Sequence, residues 1–288
     1  MNEQIATCSI IVIGLTIYIS YRGFCHPSFM EKYIFNPESI LARKQYYRLI
    51  SSGFLHANWP HLLFNMFSLY AFGSAIEYLF GVPCLLIVYF SSMLGGGLLS
   101  LYLHRHHNYR ALGASGGVCG VIFSCIFLVP GSSVYVFPLP VAIPASLYAI
   151  MFVIISYLGI RHGGGDTGHD AHLGGAIIGL LSTTLLHPWI IRVNPVLYSV
   201  VISLSVVLFI LLYLQSLRVA MSPTARLDSL KEKMSQARIQ KAGARHQRDE
   251  AIFYSLLQQI SKSGTASLTK HQRKQLKEIS QQKQNDAS

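Results

Sequence analysis

A serine lies among glycines at the start of an apolar run, in the stretch Arg110–Pro130 (RALGASGGVCGVIFSCIFLVP). Ser115 becomes a nucleophile if a base elsewhere in the chain takes its hydroxyl proton. The glycines around it match the loose G-x-S-x-G pattern of soluble hydrolases, but that pattern needs a strand before the serine and a helix after it. Nothing in the sequence predicts such strands. Without a base, Ser115 would be an ordinary helix N-cap.

The candidate base is His172, in the segment GHDAHLGGAIIGL. Two pairs of glycines spaced four apart follow the serine and the histidine: Gly116 and Gly120, and Gly175 and Gly179. Small residues at this spacing let two membrane helices approach closely. The pairs therefore predict that Ser115 meets His172, with Gly113 keeping the approach to the serine free of side chains. The alternative for His172 is a histidine at the rim of a polar connector, to which His169 and Asp170 would also belong.

A further polar pair precedes the serine, in the segment HLLFN. His61 and Asn65 are four residues apart, so both lie on one face near the start of a helix. They are suited to donate hydrogen bonds to a developing oxyanion, and one such donor is worth about 3 kcal/mol in the transition state. The alternative is a pair that satisfies a bend or a loop. We assign Glu77 a structural role, holding a loop by hydrogen bonds.

The composition predicts a membrane protein, since 51% of the 288 residues are hydrophobic and only 12% are charged. The apolar residues form long runs with almost no charge, and such runs cross membranes as helices because a helix satisfies its own backbone in lipid. We therefore expect an all-α polytopic membrane protein. The predicted spans are Ile5–Tyr21, His61–Phe80, Pro83–Leu103, the run from Ser115 to Pro130, Val141–Ile160, Gly168–Leu186 and Pro195–Leu217.

The regions outside the spans have a different character. Residues 22–60 form a long polar connection that is rich in aromatic residues. Residues 218–288 carry 14 Lys and Arg against 6 Asp and Glu, a basic tail that favours anionic lipid headgroups over nucleic acid. Its apolar spacing predicts helix within residues 226–261 and a last short helix at Lys270–Ile279. The five cysteines form no CxxC pair and are expected to be small buried apolar residues.

The combination and order of motifs resembles the rhomboid intramembrane serine proteases, over roughly residues 1–190. The matching segments are HANWPHLLFN (56–65), GSAIEYLFG (73–81), GASG (113–116) and AHLGGAIIG (171–179), together with Tyr47-Arg48 in the long first loop. The resemblance implies six helices around a water-filled cavity, with Ser115 as nucleophile and His172 as base. It implies an oxyanion hole built from His61, Asn65 and the Ser115 backbone N–H.

The resemblance and the composition together predict the organisation and the partners of the protein. Residues 1–190 would form the protease domain, 195–217 an additional transmembrane helix and 218–288 a basic, partly helical tail. The substrates would be transmembrane segments, cut near small or helix-breaking residues without a cofactor or a metal. We expect no nucleic-acid partner and a location in the inner membrane of a bacterium. The oligomeric state is left open.

One position departs from the family pattern, and two other functions compete with proteolysis. Cys119 stands where the family often has an aromatic residue packed on the histidine ring. A metal-binding transporter is the second reading, from the crowded side chains His104, His106, His107, His162, Asp166, His169, Asp170 and His172. It leaves Ser115 and Asn65 unexplained. A catalytically inactive scaffold is the third, although both Ser115 and His172 are present.

The orientation of the chain is the point on which two expectations conflict. Seven spans place the tail opposite the N-terminus, and the resemblance places the N-terminus inside. The outer connectors would then hold most of the basic residues that precede the tail: Arg22, Lys32, Arg43, Lys44, Arg48, Arg105, Arg110 and Arg161. The positive-inside rule predicts the reverse, although long loops and tails count less in it.

Overall fold

The computed structural model describes residues 6–105, 108–135, 141–162, 168–221, 252–261, 263–264 and 267–286. The chain divides into two compact units, Met1–Leu214 and Gln215–Ser288. In the described part of the first unit, the only sheet is a hairpin of two three-residue strands, β1 (Ser133–Tyr135) and β2 (Ala142–Pro144), which pair antiparallel. The remaining elements are helices, so the predicted all-α class is confirmed.

The helices follow the predicted apolar runs closely. They are α1 (Thr7–Cys25), α2 (Pro27–Tyr33), α3 (Pro37–Leu41), α4 (Arg48–Ser51), α5 (Trp59–Ser68), α6 (Ser74–His104), α7 (Ser115–Leu128), α8 (Ala145–Arg161), α9 (His169–Leu186), α10 (Ile190–Val193) and α11 (Pro195–Met221). Much of the predicted long connection is thus folded into the short helices α2, α3 and α4. A 3-10 turn at Ser52–Phe54 and a wide helical turn at Leu69–Gly73 complete this part of the chain.

A break at Gly81 divides the long apolar stretch that begins with α5. Gly81 has φ +85°, which interrupts the helical backbone two residues before Pro83. A Cβ placed on Gly73 would lie 3.5 Å from the side chain of Leu85. A continuous helix would separate residues twelve apart by about 18 Å. The chain therefore reverses direction at Gly81, as the two predicted spans on either side of it require.

Three stretches of the described chain are long and apolar enough to cross a membrane: Thr7–Cys25, Trp59–His104 and Pro195–Leu214. Helices α7 and α8 are also apolar but shorter, with 14 and 17 residues. Helix α7 is the centre of the unit, since every residue after Ser115 up to Leu128 is buried. It packs between α6 and α9, and the Ser124 hydroxyl meets the Thr183 hydroxyl across the α7–α9 contact. The protein is an integral membrane protein.

The described part of the second unit contains two helices, α12 (residues 252–261) and α13 (Lys270–Asp286). Gly264 ends the first segment with φ +74°. Thr269 caps α13, because its hydroxyl oxygen accepts a hydrogen bond from the Gln272 N–H at 3.2 Å. Helix α13 begins at the predicted residue and ends later than predicted. The helix expected between residues 226 and 251 lies outside the described residues.

Candidate active site

The structure brings Ser115 and His172 into direct contact. Ser115 is the first residue of α7, and His172 lies in the first turns of α9. The His172 Nε2 atom is 2.7 Å from the Ser115 Oγ atom. Both side chains are partly exposed, whereas most of the neighbouring helix residues are buried. A serine hydroxyl bonded to an imidazole nitrogen is the arrangement in which the imidazole can remove the hydroxyl proton.

The glycine pairs explain how the two helices come this close. A Cβ on Gly175 would overlap the backbone carbonyl of Gly116, and a Cβ on Gly179 would overlap the backbone of Gly120. Any larger residue at these positions would push α7 and α9 apart. The backbones therefore touch just below the serine and the histidine, and this contact sets the distance between the two side chains.

The His61 ring and the Ser115 hydroxyl both lie next to the backbone of Gly113. A Cβ on Gly113 would lie 2.8 Å from His61 Cε1, 3.0 Å from His61 Nε2 and 3.7 Å from Ser115 Oγ. The backbone of Gly113 has φ +131°, which other residues rarely adopt. Asn65 is on the same helix, but its side-chain amide donates to the His61 carbonyl oxygen at 2.9 Å. The His61 ring thus faces the serine, while the Asn65 amide is held by its own helix.

His56 holds the backbone that precedes the serine, a role that the sequence does not predict. Its Nε2 atom accepts a hydrogen bond from the Ala114 N–H at 3.3 Å, so the proton of the neutral ring is on Nδ1. The Nδ1–H donates to the Ser20 hydroxyl at 2.9 Å, and that hydroxyl donates to the Phe54 carbonyl oxygen. Burial, and secondarily His61, lowers the pKa of His56 to about 3. The ring is therefore neutral at ordinary pH.

Arg48 and Glu77 hold neighbouring parts of the chain together. The Arg48 guanidinium donates to the side chain of Gln45 and to the carbonyl oxygens of Glu31 and Ile34. Glu77 accepts from the backbone N–H groups of Cys8 and Ser9, as well as from the Ser9 hydroxyl at 2.7 Å. Glu77 therefore binds the first turn of α1, a helix N-terminus where a carboxylate is favourable, and not a loop.

Comparison with known proteins assigns the family. A sequence model of the Rhomboid domain matches residues 43–189, about half of the chain. The chain belongs to the rhomboid family. The matched region contains Ser115, His172, His61 and Asn65, but it excludes α1 and everything after α9 apart from three residues.

Rhomboid relatives come from organelles and from bacteria. The chain is 28% identical over 202 residues to RHOMBOID-like protein 12, mitochondrial, of Arabidopsis thaliana, an alignment that covers 63% of this chain and 58% of the relative. It is 29% identical over 157 residues to Rhomboid protein 1, mitochondrial, of Saccharomyces cerevisiae, covering 53% and 45%. It is 26% identical over 230 residues to Rhomboid protease AarA of Providencia stuartii, covering 72% and 82%. The chain thus spans about half the length of the first two relatives.

An aromatic ring does lie beside His172 in this rhomboid protein, although it is not at position 119. Cys119 is buried. The ring of His169 lies 6.2 Å from that of His172, at an interplanar angle of 79°. Space for His169 depends on Gly159 of α8, where a Cβ would overlap the His169 ring. The signal in the sequence was a histidine three residues before the base, on the same face of α9.

Asp170 corrects an expectation about the connector before α9. The alternative interpretation of this segment puts Asp170 in a polar connector, but the residue lies in the first turn of α9 and is only 4% exposed. Its carboxylate lies 3.1 Å from His104 Nε2 and accepts a hydrogen bond from the Tyr109 hydroxyl at 3.4 Å. Burial and the Asp170 charge raise the pKa of Tyr109. The carboxylate is buried because these partners surround it.

The crowded histidines and carboxylates do not converge on one point in the part of the chain that the structure describes. No group of three or more His, Cys, Asp or Glu side chains there is arranged to hold a metal ion. His162 is exposed and bonded to its own helix, 2.8 Å from the Leu158 carbonyl oxygen. His106, His107 and Asp166 lie outside the described residues. The transporter hypothesis gains no support from these contacts.

Proposed function

We propose that this protein is an intramembrane serine endopeptidase that cuts transmembrane segments with a Ser115–His172 dyad. The observation that carries the proposal is the 2.7 Å contact between Ser115 Oγ and His172 Nε2, which joins α7 to α9. Membership of the rhomboid family supports it, since relatives include proteins named as rhomboid proteases in Providencia stuartii and Bacillus subtilis.

The proposed reaction has two stages. His172 Nε2 takes the Ser115 hydroxyl proton while Oγ attacks the substrate carbonyl carbon, and the same nitrogen then gives the proton to the leaving amine. Water next attacks the acyl-enzyme, with His172 again accepting and returning one proton. The partial exposure of both side chains lets substrate and water reach them.

The proposed position of the oxyanion lies between His61 and Ser115. His61 Nε2 lies beside Gly113, and the N–H of Ser115, as the first residue of α7, has no acceptor within the helix. Asn65 joins them only if its amide turns away from the His61 carbonyl oxygen, a hydrogen bond of ordinary strength worth about 1 kcal/mol. We propose that, on substrate binding, the Asn65 amide breaks its hydrogen bond to the His61 carbonyl oxygen and donates to the oxyanion instead.

The partners and the domain division remain proposals of the same kind. The bilayer and transmembrane protein substrates are the proposed partners, and residues 1–190 the proposed protease domain. The relatives do not support the predicted bacterial inner membrane, because mitochondrial proteins of Arabidopsis thaliana and Saccharomyces cerevisiae are among them. We therefore propose a membrane location without assigning the organelle or the kind of cell.

The test is co-expression with a generic single-span substrate, with cleavage followed by immunoblotting. Wild-type protein should produce two fragments, whereas Ser115→Ala and His172→Ala should each reduce cleavage by roughly a thousand-fold or more. Ser91→Ala is the matched control, because Ser91 bonds to Ser182 between α6 and α9 and lies outside the proposed dyad. Undiminished cleavage in either dyad variant would end the proposal.

A further inference from the structure

A polar cavity of about 640 Å³ lies on the first loop, where α2, α3 and α4 face the connector that precedes α7. Its uncharged polar lining consists of hydroxyl and amide side chains, which can donate hydrogen bonds: Ser28, Asn36, Ser39 and Asn108. The proposed protease mechanism makes no use of this cavity. Hydrogen-bond donors of this kind are the groups with which proteins bind an oxygen-rich anion.

The charges around the cavity are unbalanced. Four basic residues and two acidic residues line it: Lys32, Arg43, Arg48 and Arg110, with Glu31 and Glu38. Arg110 and Glu31 form a two-pronged ion pair, with Arg110 Nη1 donating to Glu31 Oε1 at 2.8 Å. Three cationic side chains therefore remain against the single carboxylate of Glu38, which gives the cavity an excess of positive charge.

Among the four basic residues that line the cavity, only Arg48 is buried. Its side chain is 7% exposed, and the bonds described above join it to one amide oxygen and two carbonyl oxygens. These acceptors pair with N–H groups of the guanidinium, but they are uncharged and therefore do not neutralise its positive charge. A buried charge is unfavourable unless a counter-charge offsets it. An anion in the cavity would supply that counter-charge.

The surroundings of the cavity point to the membrane interface. Leu41, Tyr46 and Tyr47 expose between 44% and 57% of their surface on the same loop. The Tyr47 hydroxyl donates to the carbonyl oxygen of Lys32, which ties an exposed ring to the cavity wall. Exposed tyrosines concentrate at the level of the lipid headgroups. The phosphate of a phospholipid lies at this depth.

We propose that the cavity binds the phosphate group of a phospholipid, with Lys32 and Arg43 contacting its oxygens and Arg48 at the base. Lys32 and Arg43 are exposed, and the Lys32 ammonium lies only against the face of the Tyr33 ring, 5.3 Å from its centre, so both side chains can turn onto a headgroup, whereas Arg48 is already held in place. The cavity is connected to the catalytic segment, because Phe35 and Ala111 exchange backbone hydrogen bonds of 3.0 and 3.3 Å. A bound lipid thus fixes the loop that leads to Ser115.

The test uses the full-length protein in maltoside micelles, which contain no phosphate. The probes are dioctanoyl phosphatidylglycerol, dioctanoyl glycerol as the uncharged lipid, and inorganic phosphate, with binding measured by native mass spectrometry and by the melting temperature. Phosphatidylglycerol should bind and raise the melting temperature, and the uncharged lipid should not. The double variant with Lys32→Gln and Arg43→Gln should bind phosphatidylglycerol at least tenfold more weakly.

The control variant carries Arg22→Gln and Lys44→Gln, which removes the same charge from residues that do not line the cavity. It should bind within twofold of wild type, as should Ser115→Ala, so that failure of the protease proposal does not affect this result. Equal binding by the Lys32/Arg43 variant and wild type would overturn the site. Inorganic phosphate binding as tightly as phosphatidylglycerol, or the uncharged lipid binding equally well, would overturn the assignment to a phospholipid.

Discussion

Replacing His56 with alanine should slow catalysis although His56 does not touch the proposed nucleophile. The ring accepts the Ala114 N–H, and Ala114 is fully buried directly before Ser115. Without the ring, this N–H loses its acceptor and the serine loop loses its anchor to α1. Leaving a buried N–H unpaired costs about 1–3 kcal/mol. If this cost raises the free energy of the catalytically active loop conformation, and hence of the transition state, kcat falls by roughly 5- to 150-fold.

The same contacts predict how related variants should rank in activity. Ser20→Ala leaves the buried His56 Nδ1–H without its acceptor, which again costs about 1–3 kcal/mol, but the Ala114 bond stays in place, so the rate should fall less than in His56→Ala. His56→Gln keeps one acceptor and one donor on the side chain and should fall between wild type and His56→Ala. The expected order of activity is wild type, then Ser20→Ala and His56→Gln, then His56→Ala.

The assay is kcat for cleavage of a fluorogenic single-span substrate in proteoliposomes, at a temperature where all variants remain folded. Ser91→Ala is the control, since it removes a hydrogen bond of 2.8 Å between α6 and α9 without touching the serine loop. The reasoning is wrong if folded His56→Ala retains kcat within twofold of wild type. It is equally wrong if Ser91→Ala lowers kcat as much as His56→Ala does.

Three further predictions follow from the same contacts. Gly175→Ala should lower the melting temperature and abolish cleavage, because the added methyl group overlaps the backbone of α7. Such overpacking costs about 1–3 kcal/mol of stability. A melting temperature equal to that of wild type would contradict the close contact between α7 and α9. Gly159→Ala should displace the His169 ring and lower kcat with little change in KM. The expected loss is about tenfold, a part of the roughly 10²–10⁴-fold that a general base contributes, because the base itself remains. An unchanged kcat would mean that the ring does not support the base. Since the folded pKa of His56 is about 3 and the unfolded value is 6.5, its contribution to stability is complete above pH 6.5. That contribution falls by up to about 1.4 kcal/mol per pH unit as the pH drops toward 3, and a melting-temperature slope that persists in His56→Gln would contradict this.

The positions of the helices were predictable because they depend on local composition. Ser115 begins α7 as expected, since the apolar run starts immediately after it. The reversal at Gly81 was predictable from the glycine and the proline that follow Phe80 in an otherwise continuous apolar stretch. The number of spans and the side of the membrane on which the tail lies remain predictions.

The contact between Ser115 and His172 was predictable from glycine spacing, but the support around it was not. His56 forms hydrogen bonds with Ser20 and Ala114, which lie 36 and 58 residues away in sequence. No local sequence pattern predicts such pairs. The charge of Asp170 suggested a solvated connector, because burial of a carboxylate depends on which side chains the fold brings around it. Long-range contacts of this kind appear only in the folded chain.

The most direct test of the proposed dyad is labelling with a serine-directed fluorophosphonate, followed by peptide mass spectrometry. A single adduct should map to the peptide that contains Ser115 and should be absent in Ser115→Ala. In His172→Ala the labelling rate should fall at least a hundredfold, the scale of a lost general base. An adduct on a different serine, or an unchanged rate in His172→Ala, would contradict the proposal that His172 activates Ser115.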